Sequence, residues 1–350
     1  MFMKRTALAL SFILALLFSA VAETRLVNLA SAQSFEVITI RADGSIYPST
    51  APFQRTGNIY TFTGNIKTSI KIERNNIVID GNGYTLQSSD GSGFYMYPHT
   101  NNVTVKNTNI KNCGGNGFLL SDCTNNSIYF NNITENYRSG IDLDFSSDYN
   151  SIYSNNITDN DVGITLSSGA SHNKIYDNTI TNHGSYGIEL ISHTSYNKIY
   201  CNNITNNGAG VILIYSASNN EFYLNNFINN SANAVASLYW GECVDIWDNG
   251  TVGNYWSDYN GTDANHDGIS DTRYVILVAH NPSGAVREEV NNTDNYPLMA
   301  PFDIETNSIV VNSIVVPTDD LLPTALVTAT ITSLFVVSVG LLVYFKKRKS

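Results

Sequence analysis

The middle of the chain repeats a four-residue motif, NSIY at 126–129 and 150–153, and NKIY at 173–176 and 197–200. Aligning the copies produces one column of candidate core residues: Val105, Ile128, Ile152, Ile175, Ile199 and Phe222. Successive members are 23 or 24 residues apart. A fixed period of this length is typical of repeat proteins, in which stacked units bury a continuous core that no single unit could form.

The same period recurs in two further columns. The first is aliphatic or aromatic: Ile110, Ile133, Ile157, Ile180, Ile204 and Phe227. The second is glycine: Gly117, Gly140, Gly163, Gly187 and Gly210. Each repeat therefore contains three short runs of alternating apolar and polar residues that end at Asn, Gly, Ser or Asp, as strands separated by turns do. We predict an all-β coil with three strands per rung, about seven rungs and about 4.8 Å between rungs.

An asparagine recurs three residues after the core residue of the repeated motif. The set comprises Asn82, Asn131, Asn155, Asn178, Asn202 and Asn225. Asparagine tolerates the left-handed backbone conformation of tight turns, and stacked asparagine side chains can hydrogen-bond along a repeat axis. We interpret these residues as structural.

The chain resembles the right-handed parallel β-helix proteins of the pectin-lyase-like superfamily. The opening sequence NNIVIDGNGYTL (75–86) is similar to the first coil of that group. The closing sequences GNYWSDYNGTDANHDGISDTRYVI (253–276) and DNYPLM (294–299) resemble the NosD-like family, known as periplasmic copper-binding proteins, in the form found in archaeal surface proteins. The resemblance covers roughly residues 35–303. It implies sugar cleavage, sugar binding or copper handling.

Both ends of the chain read as membrane-related segments. Lys4 and Arg5 precede an apolar run, and small-residue cleavage sites follow it, which is typical of an export signal. Near the other end, 321–345 contains no charged residue and is followed by four cations. This length is enough to cross a bilayer, and the cations predict a cytoplasmic C-terminus with the β-helix outside the cell membrane.

These features predict seven regions. They are a signal peptide (1–32), an N-terminal β cap (33–74), β-helix repeats (75–240), a C-terminal cap with a calcium-type loop (241–303), a linker (304–320), a single transmembrane helix (321–345) and a cytoplasmic tail (346–350).

The charge distribution excludes nucleic acid as an expected partner. Seven of the 19 Lys and Arg residues lie in 1–32 and 346–350, but only one of the 30 Asp and Glu residues does. The remainder is strongly acidic, whereas phosphate backbones require a basic surface. We instead expect a polysaccharide or glycan surface as the partner.

Cysteine and sequon patterns leave two questions open. Cys113 and Cys123 could pair in an oxidising compartment or remain free and packed, like Cys201 and Cys243. N-x-S/T sequons begin at Asn102, Asn125, Asn132, Asn156, Asn203, Asn229, Asn249, Asn260 and Asn291. Some of these could carry glycan in an exported protein.

The segment 263–271 matches the first nine positions of a calcium-binding loop. The candidate ligands are the side chains of Asp263, Asn265, Asp267 and Asp271 and the carbonyl of Ile269, because Ca²⁺ takes six to eight oxygen ligands. Position 12 of the pattern is Tyr274 instead of the usual glutamate. We expect a calcium ion with a structural role; the alternative is a metal-free turn.

Three carboxylates form a candidate catalytic group. Asp142 and Asp144 should lie on one outer face of a strand, about 7 Å apart, and Glu189 should lie two rungs away, at about 10 Å. Carboxylates about 6.5–9.5 Å apart are the arrangement of inverting glycoside hydrolases. Solvated acids on an acidic surface are the alternative interpretation.

A tyrosine follows the core residue in five repeats. The column is Tyr129, Tyr153, Tyr176, Tyr200 and Tyr223. We expect these rings to face outward in a ladder that could stack against sugars, or to stabilise neighbouring strands only.

The sequence does not favour copper. Copper sites need clustered His, Met or Cys, and no two of the six histidines share a repeat column. We therefore expect a cell-surface β-helix protein that binds carbohydrate or has a structural or adhesive role. A polysaccharide hydrolase or lyase is the main alternative, and a copper-handling accessory protein is the second.

Overall fold

The chain forms a right-handed parallel β-solenoid of about eight turns, which agrees with the all-β prediction. The computed structural model describes residues 37–237, 241, 243–279, 292–304 and 308–309. Three long sheets form the walls. Each successive coil adds one strand to each sheet in parallel.

The sheets are named A, B and C. Sheet A contains Ile38–Ile40, Ile46–Tyr47, Ile70–Ile72, Phe94–Met96, Phe118–Ser121, Ser139–Asp144, Val162–Leu166, Tyr186–Ile191, Ala209–Ile214, Ala232–Ser237 and Leu277–Ala279. Sheet B contains Phe53–Thr56, Ile59–Phe62, Ile77–Asp80, Val103–Lys106, Ser127–Tyr129, Ser151–Tyr153, Lys174–Tyr176, Lys198–Tyr200 and Glu221–Tyr223. Sheet C contains Thr85–Leu86, Asn109–Lys111, Asn132–Thr134, Asn156–Thr158, Thr179–Thr181, Asn203–Thr205, Asn226–Ile228 and Tyr255–Trp256.

The aligned columns of the sequence become registered pairs in the structure. Ile128 pairs with Ile152 in sheet B, and Ile133 pairs with Ile157 in sheet C. These side chains are fully buried between the three walls. The glycine column lies where sheet A begins, and a Cβ added at Gly140 would meet the carbonyl oxygen of Gly163 at 2.8 Å. The repeat period therefore sets both the core and the close approach of successive coils.

Left-handed residues turn the corners between sheets, and at many corners of the regular coils a buried asparagine directly follows the left-handed residue. Between sheets B and C, Ser154 has φ of 52° and precedes Asn155. The Asn155 side chain donates to the carbonyl of Ile128 at 2.8 Å and to the Asn178 side chain at 3.0 Å. Each ladder asparagine is buried and satisfies backbone groups of the neighbouring coil, as buried polar groups require.

One of the six asparagines that the sequence grouped together lies outside this ladder. Asn82 is exposed and has a left-handed backbone (φ 49°). Gly81 packs against Thr108 at this corner instead, and only glycine fits there, because a Cβ would collide with Thr108. The structure also contains two ladders that sequence reasoning missed: Asn126, Asn150, Asn173, Asn197, Asn220 and Asp245, and Asn136, Asn160, His183, Asn207 and Asn230.

The two ends of the solenoid depart from the parallel pattern. At the start, Phe53–Thr56 and Ile59–Phe62 form an antiparallel hairpin. At the other end, Trp247 stacks on Phe222 at 4.3 Å and Trp256 stacks on Phe227 at 4.4 Å, so large rings cover the last coil. Two short antiparallel pairs complete this end: Tyr274–Val275 with Thr293–Asp294, and Phe302–Asp303 with Ser308–Ile309.

The signal peptide (1–32), the transmembrane segment (321–345) and the tail (346–350) all lie outside the described residues. Within the residues that the structure does describe, no helix has the length and apolar character needed to span a membrane.

Cys113, Cys123, Cys201 and Cys243 are all buried free thiols. Burial raises the pKa of the Cys113 thiol to about 11, so it is unreactive at neutral pH.

Candidate functional site

The outer face of sheet A carries a short polar stretch between two apolar residues. In strand register, one outward column runs Leu119, Asp142, Thr165, Glu189 and Ile212. Its three polar members occupy three consecutive rungs, which span about 10 Å. Asp142 and Glu189 are therefore two rungs apart.

A groove lies over these three polar residues. Its volume is about 670 Å³. Residues from the turns that precede the strands of sheet A form one wall. The lining is Asn116, Tyr137, Arg138, Ser139, Asp142, Asp161, Val162, Thr165 and Glu189. The groove thus contains carboxylates, hydroxyls, an amide, a guanidinium group and an aromatic ring.

Asp142 lies at the floor of the groove and is largely shielded from water. Its Oδ2 accepts a hydrogen bond from Nδ2 of Asn116 at 3.0 Å, while its Oδ1 is buried without a hydrogen-bond partner among the described residues. Burial raises the pKa of this carboxyl to about 7, and the negative charges of Asp144 and Glu189 act in the same direction. Asp142 can therefore hold or release a proton near neutral pH.

The other two candidate carboxylates are held in different ways. Asp144 shares the outer face of the strand with Asp142, and its Oδ1 accepts from the Ser167 hydroxyl at 2.7 Å. Glu189 accepts a long hydrogen bond of 3.4 Å from the Thr165 hydroxyl. Burial raises the pKa of Glu189. The structure therefore brings Asp142 and Glu189 together in the groove, whereas Asp144 lies beside Asp142 on the same strand but is not part of the groove lining.

Hydrogen bonds along the groove fix its walls. The hydroxyls of Ser139 and Thr165 are 2.8 Å apart, and the Ser185 hydroxyl donates to Asp161 at 2.8 Å. Sequence reasoning identified neither Asn116 nor Asp161 as part of the site. The sequence does contain a signal for Asn116, because this residue directly precedes Gly117 of the glycine column and therefore borders the strand.

The tyrosine column forms a continuous stack. Neighbouring ring centroids are 4.7 to 5.1 Å apart, and the rings are within 15° of parallel. Tyr129 and Tyr153 are half-buried, whereas Tyr176, Tyr200 and Tyr223 are buried under a segment that includes Leu298 and Phe302. The rings form the expected ladder outside the main core, but the last three are not accessible to a ligand, because the C-terminal segment covers them and each ring occupies the face of its neighbour.

The loop 263–271 is closed by its own hydrogen bonds. Asp263 Oδ2 accepts from the Gly268 amide at 2.8 Å, and Asp271 Oδ2 accepts from the Ala264 amide at 2.7 Å. Asp267 Oδ1 accepts from the amide of Ile269 at 2.9 Å, and the Asn265 side chain donates to Asp267 at 2.9 Å. In the described part of the chain, no group of three or more His, Cys, Asp or Glu side chains is arranged to hold a metal. The calcium site stays a prediction.

The histidines that bear on copper handling are dispersed. His99 lies beside Asp122 at 3.4 Å, and His172 stacks between Tyr149 and Tyr196. His183 is buried in an asparagine ladder, where burial lowers its pKa. His280 lies outside the described residues. Copper handling therefore stays an untested alternative.

The sequence matches one family model over two overlapping ranges. Residues 55–204 and 92–255 both match the right-handed β-helix region, and together they span more than half of the chain. The chain belongs to this family of right-handed β-helix proteins. No curated protein matches the sequence.

Two solved structures are similar to part of this chain. The A-module of mannuronan C-5 epimerase AlgE6 from Azotobacter vinelandii is 15% identical with a TM-score of 0.38, and the alignment covers 56% of this chain and 63% of that one. The periplasmic alginate epimerase AlgG is also 15% identical with a TM-score of 0.33, and the alignment covers 60% of this chain and 69% of that one. This chain therefore spans less than two thirds of the first of these proteins.

Proposed function

We propose that the chain is a polysaccharide-binding β-helix protein and that the polymer lies in the groove over Asp142. The groove itself carries this proposal, because it gathers polar groups on a wall that is apolar at the rungs on either side. Sugar hydroxyls both donate and accept hydrogen bonds. Carboxylates, hydroxyls and the Asn116 amide supply the complementary groups.

The test is retention on a polysaccharide array, using the purified full chain and matched variants. Asp142→Asn and Glu189→Gln keep the shape of the groove but remove its carboxylates. Asp90→Asn changes an exposed acid outside the groove and serves as the control. We expect retention by the wild type and Asp90→Asn and weaker retention by the two groove variants. Equal retention by all four proteins would place the binding surface elsewhere.

A second candidate is acid–base cleavage of a glycosidic bond in the same groove. The pKa of Asp142, about 7, favours this cleavage, because a carboxyl that keeps its proton near pH 7 can protonate the leaving oxygen. A carboxylate across the groove would take the proton from the attacking water, so one glycosidic bond is exchanged for two new hydroxyls. New reducing ends on the array that disappear in Asp142→Asn would establish this reaction.

We also propose that calcium stabilises the closing cap through loop 263–271. The oxygen-rich composition of the loop supports this role. Calcium should raise the thermal unfolding midpoint of the full chain, whereas Asp263→Asn with Asp271→Asn should not respond. An unchanged wild-type midpoint at millimolar calcium would contradict the proposal.

We propose export and anchoring at a cell surface for the whole chain. The support is the uncharged segment 321–345 with four cations directly after it, which is typical of a single-pass anchor with a cytoplasmic tail. Protease treatment of intact cells should remove the β-helix if it lies outside.

A further inference from the structure

We propose that the groove over Asp142 selects a non-anionic glycan, neutral or amino-sugar, and that Tyr137 stacks against one of its rings. This inference rests on the proposed binding function and adds the substrate class and a further binding residue. Two independent observations carry it: the balance of charge in the groove and the exposure of one aromatic side chain.

The charged lining of the groove is predominantly acidic. Asp161 and Glu189 line it as carboxylates, Asp142 adds a carboxyl group that is partly ionised near neutral pH, and the Arg138 guanidinium is the only cation in the lining. Asp144 adds a further negative charge close enough to affect Asp142. A chain of uronates would bring one more negative charge with each sugar into this field. Such juxtaposition of like charges disfavours binding, so the groove rejects polyuronates.

The orientation of the groove acids supports the same selection. Asp161 and Glu189 are held by the hydroxyls of Ser185 and Thr165 respectively, so their carboxylates are fixed acceptors. A carboxylate accepts hydrogen bonds and donates none. Sugar hydroxyls and protonated sugar amines are donors that match this surface, whereas a sugar carboxylate presents only further acceptors.

Tyr137 supplies an aromatic surface at the edge of the groove. Tyr137 is 76% exposed, the largest value among the large hydrophobic residues in the described part of the chain. Its backbone amide donates to the carbonyl of Cys113 at 2.9 Å, so the turn that carries it is anchored to the neighbouring coil. No other described aromatic ring stacks on it. An exposed ring beside a polar groove can cover the apolar face of a sugar ring.

This assignment differs from the stacking role expected for the column that begins at Tyr129. The faces in that column are largely occupied by neighbouring tyrosines, and three of the rings are buried. Tyr137 projects from a turn instead of a strand, and no equivalent aromatic lies directly above or below it: Asn136 matches Cys113 and Asn160, so the next positions are Gly114 and Asp161. Its face is therefore open to a ligand.

The test measures binding of three oligosaccharides of equal length to the full chain. The probes are a neutral glucan, a chitosan oligomer and an oligogalacturonate, each titrated calorimetrically in EDTA and in calcium. Tyr137→Ala removes the ring, and Tyr137→Phe retains it. Tyr149→Ala removes an exposed ring outside the groove and serves as the control. Asp161→Asn combined with Glu189→Gln reduces the negative charge.

We expect the neutral or the amino-sugar probe to bind at least about tenfold more tightly than the uronate. Tyr137→Ala should weaken that binding about three- to tenfold, whereas Tyr137→Phe and Tyr149→Ala should not. The double charge variant should gain affinity for the uronate. Uronate binding that equals or exceeds the others, in EDTA or in calcium, would overturn the inference but leave the proposed binding function intact. If Tyr137→Ala binds the preferred probe as tightly as the wild type does, the stacking role of Tyr137 is wrong, but the proposed binding function again stands. If no probe binds, the proposed function itself fails.

Discussion

At the scale of single residues, Asp142 is distinctive because its carboxyl is buried beside other acids. Its folded pKa of about 7 lies above the ordinary value of 3.8, so the folded protein binds more protons than the unfolded chain between these values. The contribution of Asp142 to the free energy of unfolding is therefore greatest at acidic pH. It falls as pH rises through the window from about 4 to about 7.

We predict that Asp142→Asn changes the pH dependence of stability in a defined direction. The variant should lose less stability than the wild type as pH rises from about 4 to about 7, because the amide cannot ionise. Denaturant unfolding of both proteins at several pH values measures the difference. Parallel curves for the two proteins would show that Asp142 ionises normally.

His183 is a histidine in a position that its ladder neighbours fill with asparagine. Its Nδ1 accepts from the Asn160 amide at 3.2 Å, and its Nε2 lies 3.2 Å from the carbonyl of Ile157. These two contacts reproduce those of an asparagine amide, provided that the ring is neutral with its proton on Nε2. Burial accordingly lowers the pKa of His183.

We predict that His183→Asn removes an acid sensitivity of the solenoid. Below about pH 6.5 the unfolded chain protonates this histidine before the folded chain does, so the wild type loses stability as pH falls. The asparagine variant should match the wild type at pH 8 and exceed its stability at pH 5. His183→Ala should be destabilised at both pH values, since it leaves ladder groups without partners. An asparagine variant that is less stable at pH 5 would contradict the assignment.

At the scale of the structural element, a ladder asparagine differs sharply from an outward asparagine of the neighbouring coil. Asn178 is buried, and its amide donates to Ile152, Tyr176 and Asn202 at 2.9 to 3.0 Å. Asn156 is exposed, and its side chain donates only to Asn132, at 2.8 Å. Both residues are asparagines in adjacent coils, so they form a matched pair.

We predict that Asn178→Ala costs about 2–4 kcal/mol of unfolding free energy, because buried backbone groups lose their partners. Asn156→Ala should change stability by less than about 0.5 kcal/mol, as exposed substitutions do. Urea unfolding of the two variants compares them directly. Similar losses of unfolding free energy in both variants would show that the buried ladder contributes no more to stability than an exposed asparagine does.

At the scale of the whole molecule, each coil contacts mainly the coils directly before and after it. Lys174–Tyr176 pairs with Lys198–Tyr200, which in turn pairs with Glu221–Tyr223 in the same register. Interactions limited to neighbours make stability approximately a sum over coils. Trp247 and Trp256 cover the core at the last coil, so the number of coils before them can change without exposing that end of the core.

We predict that deleting residues 198–220, one complete coil, leaves a folded protein. The deletion joins Asn197 to Glu221 and restores the repeated motif, so the remaining strands can pair in register. Thermal unfolding should remain cooperative with a somewhat lower midpoint. Deleting only 209–220 should abolish cooperative unfolding, because the strand of sheet A is lost and the order of the three sheets is broken.

The fold was predictable from the sequence because the period is local information. The spacing of Ile128, Ile152 and Ile175 determines which residues face the core, and backbone pairing then places equal positions on top of each other. The same spacing correctly placed Asp142 and Glu189 two rungs apart on one face. It erred at Asn82, because Gly81 is the residue that packs against Thr108 at this corner, and Asn82 is exposed.

The sequence by itself determined the repeat, the three-sheet coil and the outward position of the acids, since each follows from residues at a fixed separation along the chain. Only the tertiary structure decided which acid is shielded, that Tyr137 and Asp161 join Asp142 in one groove, and that the segment around Leu298 covers Tyr200. These outcomes depend on contacts between residues from different coils, or from the cap and the coils. No periodicity records them, because burial and access to water are properties of the folded surface and not of spacing along the chain.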